Sequence, residues 1–167
     1  MIEEPYRLIR WKPKGPQLAG QFFTCARPGR SKDAKAKIPD QLVDLWVKGL
    51  PASQPVFIVS LLGRKPEPDN RSEFSFYSFR GGFDQPSDRP DCPTFQEWLN
   101  KRYGDGRYCV LEYPTVDVKP LASETISEVS AVISSLLQEG RTVVLMDSGG
   151  IGRTGKVCKC LGFIQDK

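Results

Sequence analysis

The segment that most restricts this chain is Val143-Val-Leu-Met-Asp-Ser-Gly-Gly-Ile-Gly-Arg-Thr-Gly155. A short apolar, β-branched run passes directly into a turn dense in glycine that carries one arginine. Upstream, Ser123 to Gln138 repeats apolar residues at helical spacing. Ile126, Val129, Ile133, Leu136 and Leu137 form one stripe, and Gly140 ends it. Either Ser123 or a Thr125–Glu128 capping box can start this helix. Helix, glycine, buried strand and glycine-rich loop, in that order, is the pattern of an α/β protein with a parallel sheet.

The loop itself suits an anion. Gly149, Gly150, Gly152 and Gly155 permit tight backbone geometry and close approach to a ligand. Successive amides can turn inward, and a helix beginning near Arg153 adds its positive end. The Arg153 guanidinium can fork onto two phosphate oxygens. Ser148, Gly149, Gly150, Ile151, Gly152 and Arg153 are therefore the candidate phosphate-binding residues. A second reading takes Gly150 to Lys156 as a nucleotide P-loop, but Val157 stands where that motif needs a magnesium-binding hydroxyl. A purely structural loop is the third.

Elsewhere the spacing predicts strands at Tyr6–Trp11 and Leu18–Phe23, both short and edge-like, around a turn from Lys12 to Pro16. A helix is expected from Pro39 to Lys48 with Leu42, Leu45 and Trp46 on one face. Strands follow at Val56–Leu62, Phe74–Phe79 and Tyr108–Tyr113, with a short helix at Thr94–Arg102. The basic loop after Ala26 reads as a solvated connection, with a ligand-facing role for Arg27 or Arg30 as the alternative. Cys158 and Cys160 fall on the final helix as packing or surface residues, and Cys109 falls in a strand as core.

The totals narrow the function classes. The 167 residues suit one domain, and the charge of +4 is not gathered into a tail. That balance suits an acidic or phosphorylated ligand and reads against nucleic acid, apart from a 5′-phosphate end. No apolar run is long enough to span a membrane, and the acidic N-terminus lacks a signal-peptide pattern. Five cysteines at irregular spacing read as reduced thiols in a cytoplasmic protein. The chain has no histidine, which removes histidine metal sites, Ser-His-Asp triads and Cys-His dyads. No metal and no cofactor are expected.

Val143 to Gly155 resembles the signature loop of cysteine-dependent protein tyrosine and dual-specificity phosphatases: His-Cys, two variable residues, Gly, two variable residues, Arg, Ser or Thr, Gly. Gly150, Arg153, Thr154 and Gly155 match that pattern. Met146 stands at the histidine position and Asp147 at that of the nucleophilic cysteine. Tyr113-Pro-Thr-Val-Asp117 is similar to the loop that supplies the family's general acid, so Asp117 is the match. The likeness spans roughly residues 50–160. It implies one phosphatase-like domain over residues 1–167. Its expected fold is a small three-layer α/β domain with a central, mostly parallel sheet flanked by helices. The family has further helical segments after the signature helix, whereas this chain stops at Lys167, as a shortened protein, a fragment or an altered product would.

The resemblance also implies roles. In an intact member a thiolate attacks phosphorus while the arginine and loop amides hold the equatorial oxygens. The aspartic acid protonates the leaving oxygen, and the loop hydroxyl, here Thr154, helps the thiolate leave. Asp117, Asp147, Arg153 and Thr154 are thus the candidate catalytic positions. Asp147 could accept phosphoryl itself, oppose a phosphate as a like charge, fill the cradle paired with Arg153, or gain a proton when phosphate binds. Three functions stay open: a catalytically impaired domain that binds a phosphorylated or acidic partner, an active hydrolase of phosphate monoesters, and a non-catalytic interaction domain.

Overall fold

The computed structural model describes residues 8–28, 40–68, 73 and 94–167. Strands β1 (Ile9–Pro13) and β2 (Gln21–Ala26) come first, then helix α1 (Asp40–Lys48) and strand β3 (Val56–Ser60). Helix α2 (Phe95–Tyr103), strand β4 (Tyr108–Glu112), helix α3 (Ser123–Gln138) and strand β5 (Thr142–Asp147) follow, and helix α4 (Gly152–Leu161) and strand β6 (Phe163–Gln165) close the chain. The sheet order is β4-β3-β5-β2-β1-β6. β4, β3, β5 and β2 run parallel. β1 is antiparallel to both β2 and β6. The expected α/β architecture, a mostly parallel sheet with helices on both faces, is what forms.

β5 sits inside the parallel part and is buried along its whole length. Its side chains alternate between two cores, as strand geometry requires. Val144 and Met146 face one with Trp46 and Val43 of α1 and Trp98 and Leu99 of α2. Val143 and Leu145 face the other with Val129, Ile133 and Leu137 of α3 and Val157 of α4. Burial on both faces explains why the strand reads as an unbroken apolar run.

Several boundaries differ from expectation. β1 and β2 are not edge strands: β2 lies between β5 and β1, and β1 is covered by β6, a strand the sequence did not announce. β1 also runs on through Lys12 and Pro13, because these pair with Ile164 and Phe163. On α1 the buried residues are Leu42, Val43, Trp46 and Val47, whereas Leu45 is 38% exposed. Thr94 and Glu97 form a capping box at α2, but α3 starts after Ala122 with no side-chain cap. Its anchorage comes from burial of the stripe, where Ile126 and Leu136 are half-buried. Cys109, on β4, which is the outermost strand on that side among the described residues, is likewise half-buried. The strand expected at Phe74–Phe79 and the position of Arg30 lie outside the described residues.

Candidate phosphate-binding site

The site lies at the C-terminal ends of the parallel strands, where open α/β sheets bind ligands. β5 ends at Asp147, and β2 ends beside it, with Ala26 paired to Asp147. The chain then turns through residues 148–151 into α4, whose N-cap residue is Ile151. Gly150 makes this turn possible in two ways. Its φ is +74°, and a Cβ there would lie 2.5 Å from the Ala26 nitrogen and 2.6 Å from the Cys25 carbonyl carbon. The close approach that requires glycine is thus to the end of β2.

The Asp147 carboxylate folds back into this turn. The Thr154 amide donates to its Oδ2 at 3.0 Å, and the Gly150 amide donates to its Oδ1 in a short contact. A carboxylate at the N-terminus of α4 meets the orphan amides and the positive end of the helix, as a bound anion would. Asp147 is only 2% exposed. Of the states open to it in the sequence, this geometry corresponds to the carboxylate filling the cradle.

Arg153 does not pair with it. Its guanidinium reaches back to Glu73, with Nη1 donating to Oε1 at 2.8 Å and Nη2 to Oε2 at 2.7 Å. Nη1 also donates to Thr115 Oγ1 at 2.9 Å, and Nη2 to Asp117 Oδ1 at 3.2 Å. Glu73 is fully buried and accepts a further bond from the Gly63 amide at 2.9 Å. Burial by itself would lower the Arg153 pKa, but the Glu73 carboxylate bonded to it, with Asp147 and Asp117 nearby, holds it above its ordinary value. Arg153 is therefore a firmly charged group already engaged by carboxylates.

Asp117 is brought to the site as the resemblance implies, and it is paired there. Lys65 Nζ donates to its Oδ2 at 2.6 Å. A parallel bridge between Arg64 and Val116 holds the two loops together. Burial would raise the Asp117 pKa, but the Lys65 hydrogen bond and charge, with Arg153 beside it, hold it below the ordinary value. Near neutral pH the group is therefore a carboxylate. A folded-state pKa below the unfolded one means that the stability it contributes is complete above about pH 4 and is lost as pH falls through the folded value. Asp117→Asn should therefore flatten the fall in the urea midpoint measured from pH 5 down to pH 2. An unchanged profile would contradict the ion pairing described here.

Among the described residues no reactive thiol stands at the loop. Cys25, beside Met146 in the sheet, is driven far up by burial and then by the Asp147 carboxylate. Cys158 is pushed up to about 12 by the same two causes. Both stay protonated near neutral pH and pack in the cores. Cys160 is exposed, as the sequence allowed. Ser148 is buried, and its Oγ accepts from Arg27 Nε at 3.2 Å. Arg27 itself is 2% exposed, so it is not part of a solvated connection. Val157 packs in the core behind α4, so the position that would carry a magnesium-binding hydroxyl in a nucleotide P-loop faces away from any ligand.

A cavity of about 770 Å³ opens over the loop. Arg27, Lys65, Arg153 and Lys156 line it together with Asp117 and Asp147. Sequence reasoning missed Glu73 and Lys65. A glutamate in the polar run after Gly63 carries no mark of burial, and only the folded chain brings it under Arg153. No helix among the described residues is long and apolar enough to cross a membrane. Nor do any of them form a cluster of histidine, cysteine, aspartate or glutamate that could hold a metal ion.

No family model matches the chain, and no curated protein matches its sequence. Two solved structures match. One is the crystal structure of kinase associated phosphatase (KAP) with its catalytic-site cysteine substituted by serine, at TM-score 0.57 and 16% identity, covering 96% of this chain and 74% of that one. The other is the crystal structure of Tk-PTP in the active form, at TM-score 0.47 and 18% identity, covering 85% of this chain and 67% of that one. At 16% identity the likeness to the first of these is one of fold.

Proposed function

We propose that this chain is a phosphatase-like domain with impaired catalysis, which binds a phosphorylated or acidic partner through residues 147–155. In this reading residues 1–167 act as one unit in the cytoplasm, consistent with the free cysteines among the described residues. The observation that carries the proposal is the Asp147 carboxylate bonded to the Gly150 and Thr154 amides. The group at the nucleophile's position is a carboxylate spending its oxygens on the loop's own donors. Attack on phosphorus would require it to leave them. The ionised, lysine-paired Asp117 supports the same reading from the leaving-group side. Binding remains chemically reasonable, because Arg27, Lys65, Arg153 and Lys156 surround the cavity with positive charge.

The test is phosphate release from a generic aryl phosphate by the purified chain, with and without magnesium, beside an Arg153→Lys variant shown to be folded. The expected result is no release above background in either protein. Release that disappears in the variant would make the protein an enzyme and would return Asp147 to the role of phosphoryl acceptor. Absence of both release and phosphate binding would leave the interaction-domain reading.

A further inference from the structure

We infer that the loop cradle is gated by a proton: an anion enters it only as Asp147 gives up the loop amides and becomes a neutral acid. The inference rests on the phosphate-site reading above and names how that site is regulated. Both Asp147 oxygens accept from main-chain amides, Oδ2 from Thr154 at 3.0 Å and Oδ1 from Gly150 in a short contact. A group that accepts on both oxygens is a carboxylate, since an acid would present a hydroxyl donor to one of those amides. An incoming anion needs the same two donors, so the carboxylate must turn off them. The residue is 2% exposed, at the end of a strand buried along its whole length. Moving it off the amides therefore leaves an uncompensated charge in a buried place, beside a second anion. Burial and like charge both favour the neutral form. The protonated oxygen can in turn donate to the anion that has taken the amides.

The neighbours assign the proton to Asp147. From β2 and its end come Cys25, whose thiol stays protonated near neutral pH, and Arg27, which donates to Ser148 Oγ and to the Pro28 carbonyl, each at 3.2 Å. From α4 come Arg153, Lys156 and Cys158, and that thiol too stays protonated. β3 ends in Ser60 beside Met146, which brings no titrating group, and α3 brings Ile126 to the cavity. The loop after β3 supplies Lys65, and the loop after β4 supplies Asp117 and Lys119. Arg153 is shared between Glu73 and Asp117, and Lys65 donates to Asp117 at 2.6 Å. Glu73 and Asp117 are thus each bonded to a cation. Among the described residues no cationic side chain is bonded to Asp147, whose partners are the two amides. Of the three carboxylates it is the one that an anion can displace, and the one with no paired cation to keep its charge. A phosphorylated or acidic partner would accordingly be held as pH falls and released as pH rises.

The test is titration calorimetry of sulfate from about pH 5 to about pH 8. Sulfate stays a dianion over that range, so a change in affinity counts protons on the protein. Wild-type affinity should fall about tenfold per pH unit at its steepest, the slope of one proton taken up with each anion. At a single pH the measured heat should also differ between buffers by the ionisation heat of that one proton, a readout that needs no variant. Asp147→Asn and Asp147→Ser, each checked by a thermal melt, should bind sulfate with a flat profile, and more tightly than the wild-type chain at the alkaline end. A flat wild-type profile, as when the carboxylate keeps its charge and moves to Lys156, would overturn the inference. So would a slope that survives in both variants, or variants that bind sulfate while the wild-type chain binds it at no pH. If neither the wild-type chain nor the variants bind sulfate, the phosphate-site reading itself fails and this inference falls with it.

Discussion

Asp147→Ser should bind inorganic phosphate about a hundredfold more tightly than the wild-type chain. A phosphate in the loop would seek the amides of Gly150 and Thr154, which now donate to the Asp147 carboxylate. It would also meet that carboxylate as a like charge. At about 4 Å and an effective dielectric of ~20, one such pair opposes binding by roughly 4 kcal/mol, or about a thousandfold. Part of that gain is returned, because serine leaves the loop without its internal ligand and phosphate must then order it. The ligand-free variant should accordingly be less stable by about 1–3 kcal/mol, the cost of leaving buried donors without an acceptor. Added phosphate should restore the thermal midpoint by linkage. Titration calorimetry with thermal melts reads both effects. An unchanged affinity in a folded variant would show that Asp147 is not what occludes the cradle.

Glu73→Gln should lower stability by about 3 kcal/mol. Glu73 is fully buried, and its carboxylate holds Arg153 through paired hydrogen bonds at 2.7 and 2.8 Å. The amide isostere can still accept from Nη1 and from the Gly63 amide through its oxygen. Its NH2 would then face Nη2, donor against donor, beside an arginine left short of negative charge. Breaking one partner of a buried pair costs far more than an exposed ion pair is worth. Urea unfolding with an unchanged slope and a lower midpoint would report this loss. A loss below about 1 kcal/mol would mean that Arg153 finds equivalent partners in Asp117 and the Leu61 and Thr115 oxygens that it already touches.

The two variants separate contributions that a phosphate site normally combines. Asp147 competes for the loop amides, whereas Glu73 competes for the guanidinium. In the described structure the loop amides and the guanidinium both donate to the chain's own carboxylates. On the function proposed above, a phosphate would have to displace Asp147 and share Arg153 with Glu73 and Asp117.

Most of the sheet was legible before folding, for a local reason. β5 and α3 announce themselves because an unbroken apolar run and a regular apolar stripe have few other uses. The boundaries of α3, Ser123 to Gln138, coincide with the spacing even though neither expected cap forms. β6 was not legible: a segment as short as Phe163–Gln165 has too little pattern to distinguish a strand from a tail. Its pairing with β1 is what keeps that strand from being the edge of the sheet.

The sequence by itself determined the chemical inventory of the site. Glycines and an arginine following a buried strand suit an anion, the absence of histidine removes the usual bases, and Asp147 is plainly not a thiol. Only the tertiary structure decided how those groups spend their hydrogen bonds. Asp147 turns inward because the amides at the start of α4 are its nearest donors. Arg153 turns away because Glu73, from a distant part of the chain, offers a complete, fully buried carboxylate. Partner choice in a buried site depends on which groups reach it within about 3 Å. That distance is a property of the packed chain and not of residue order.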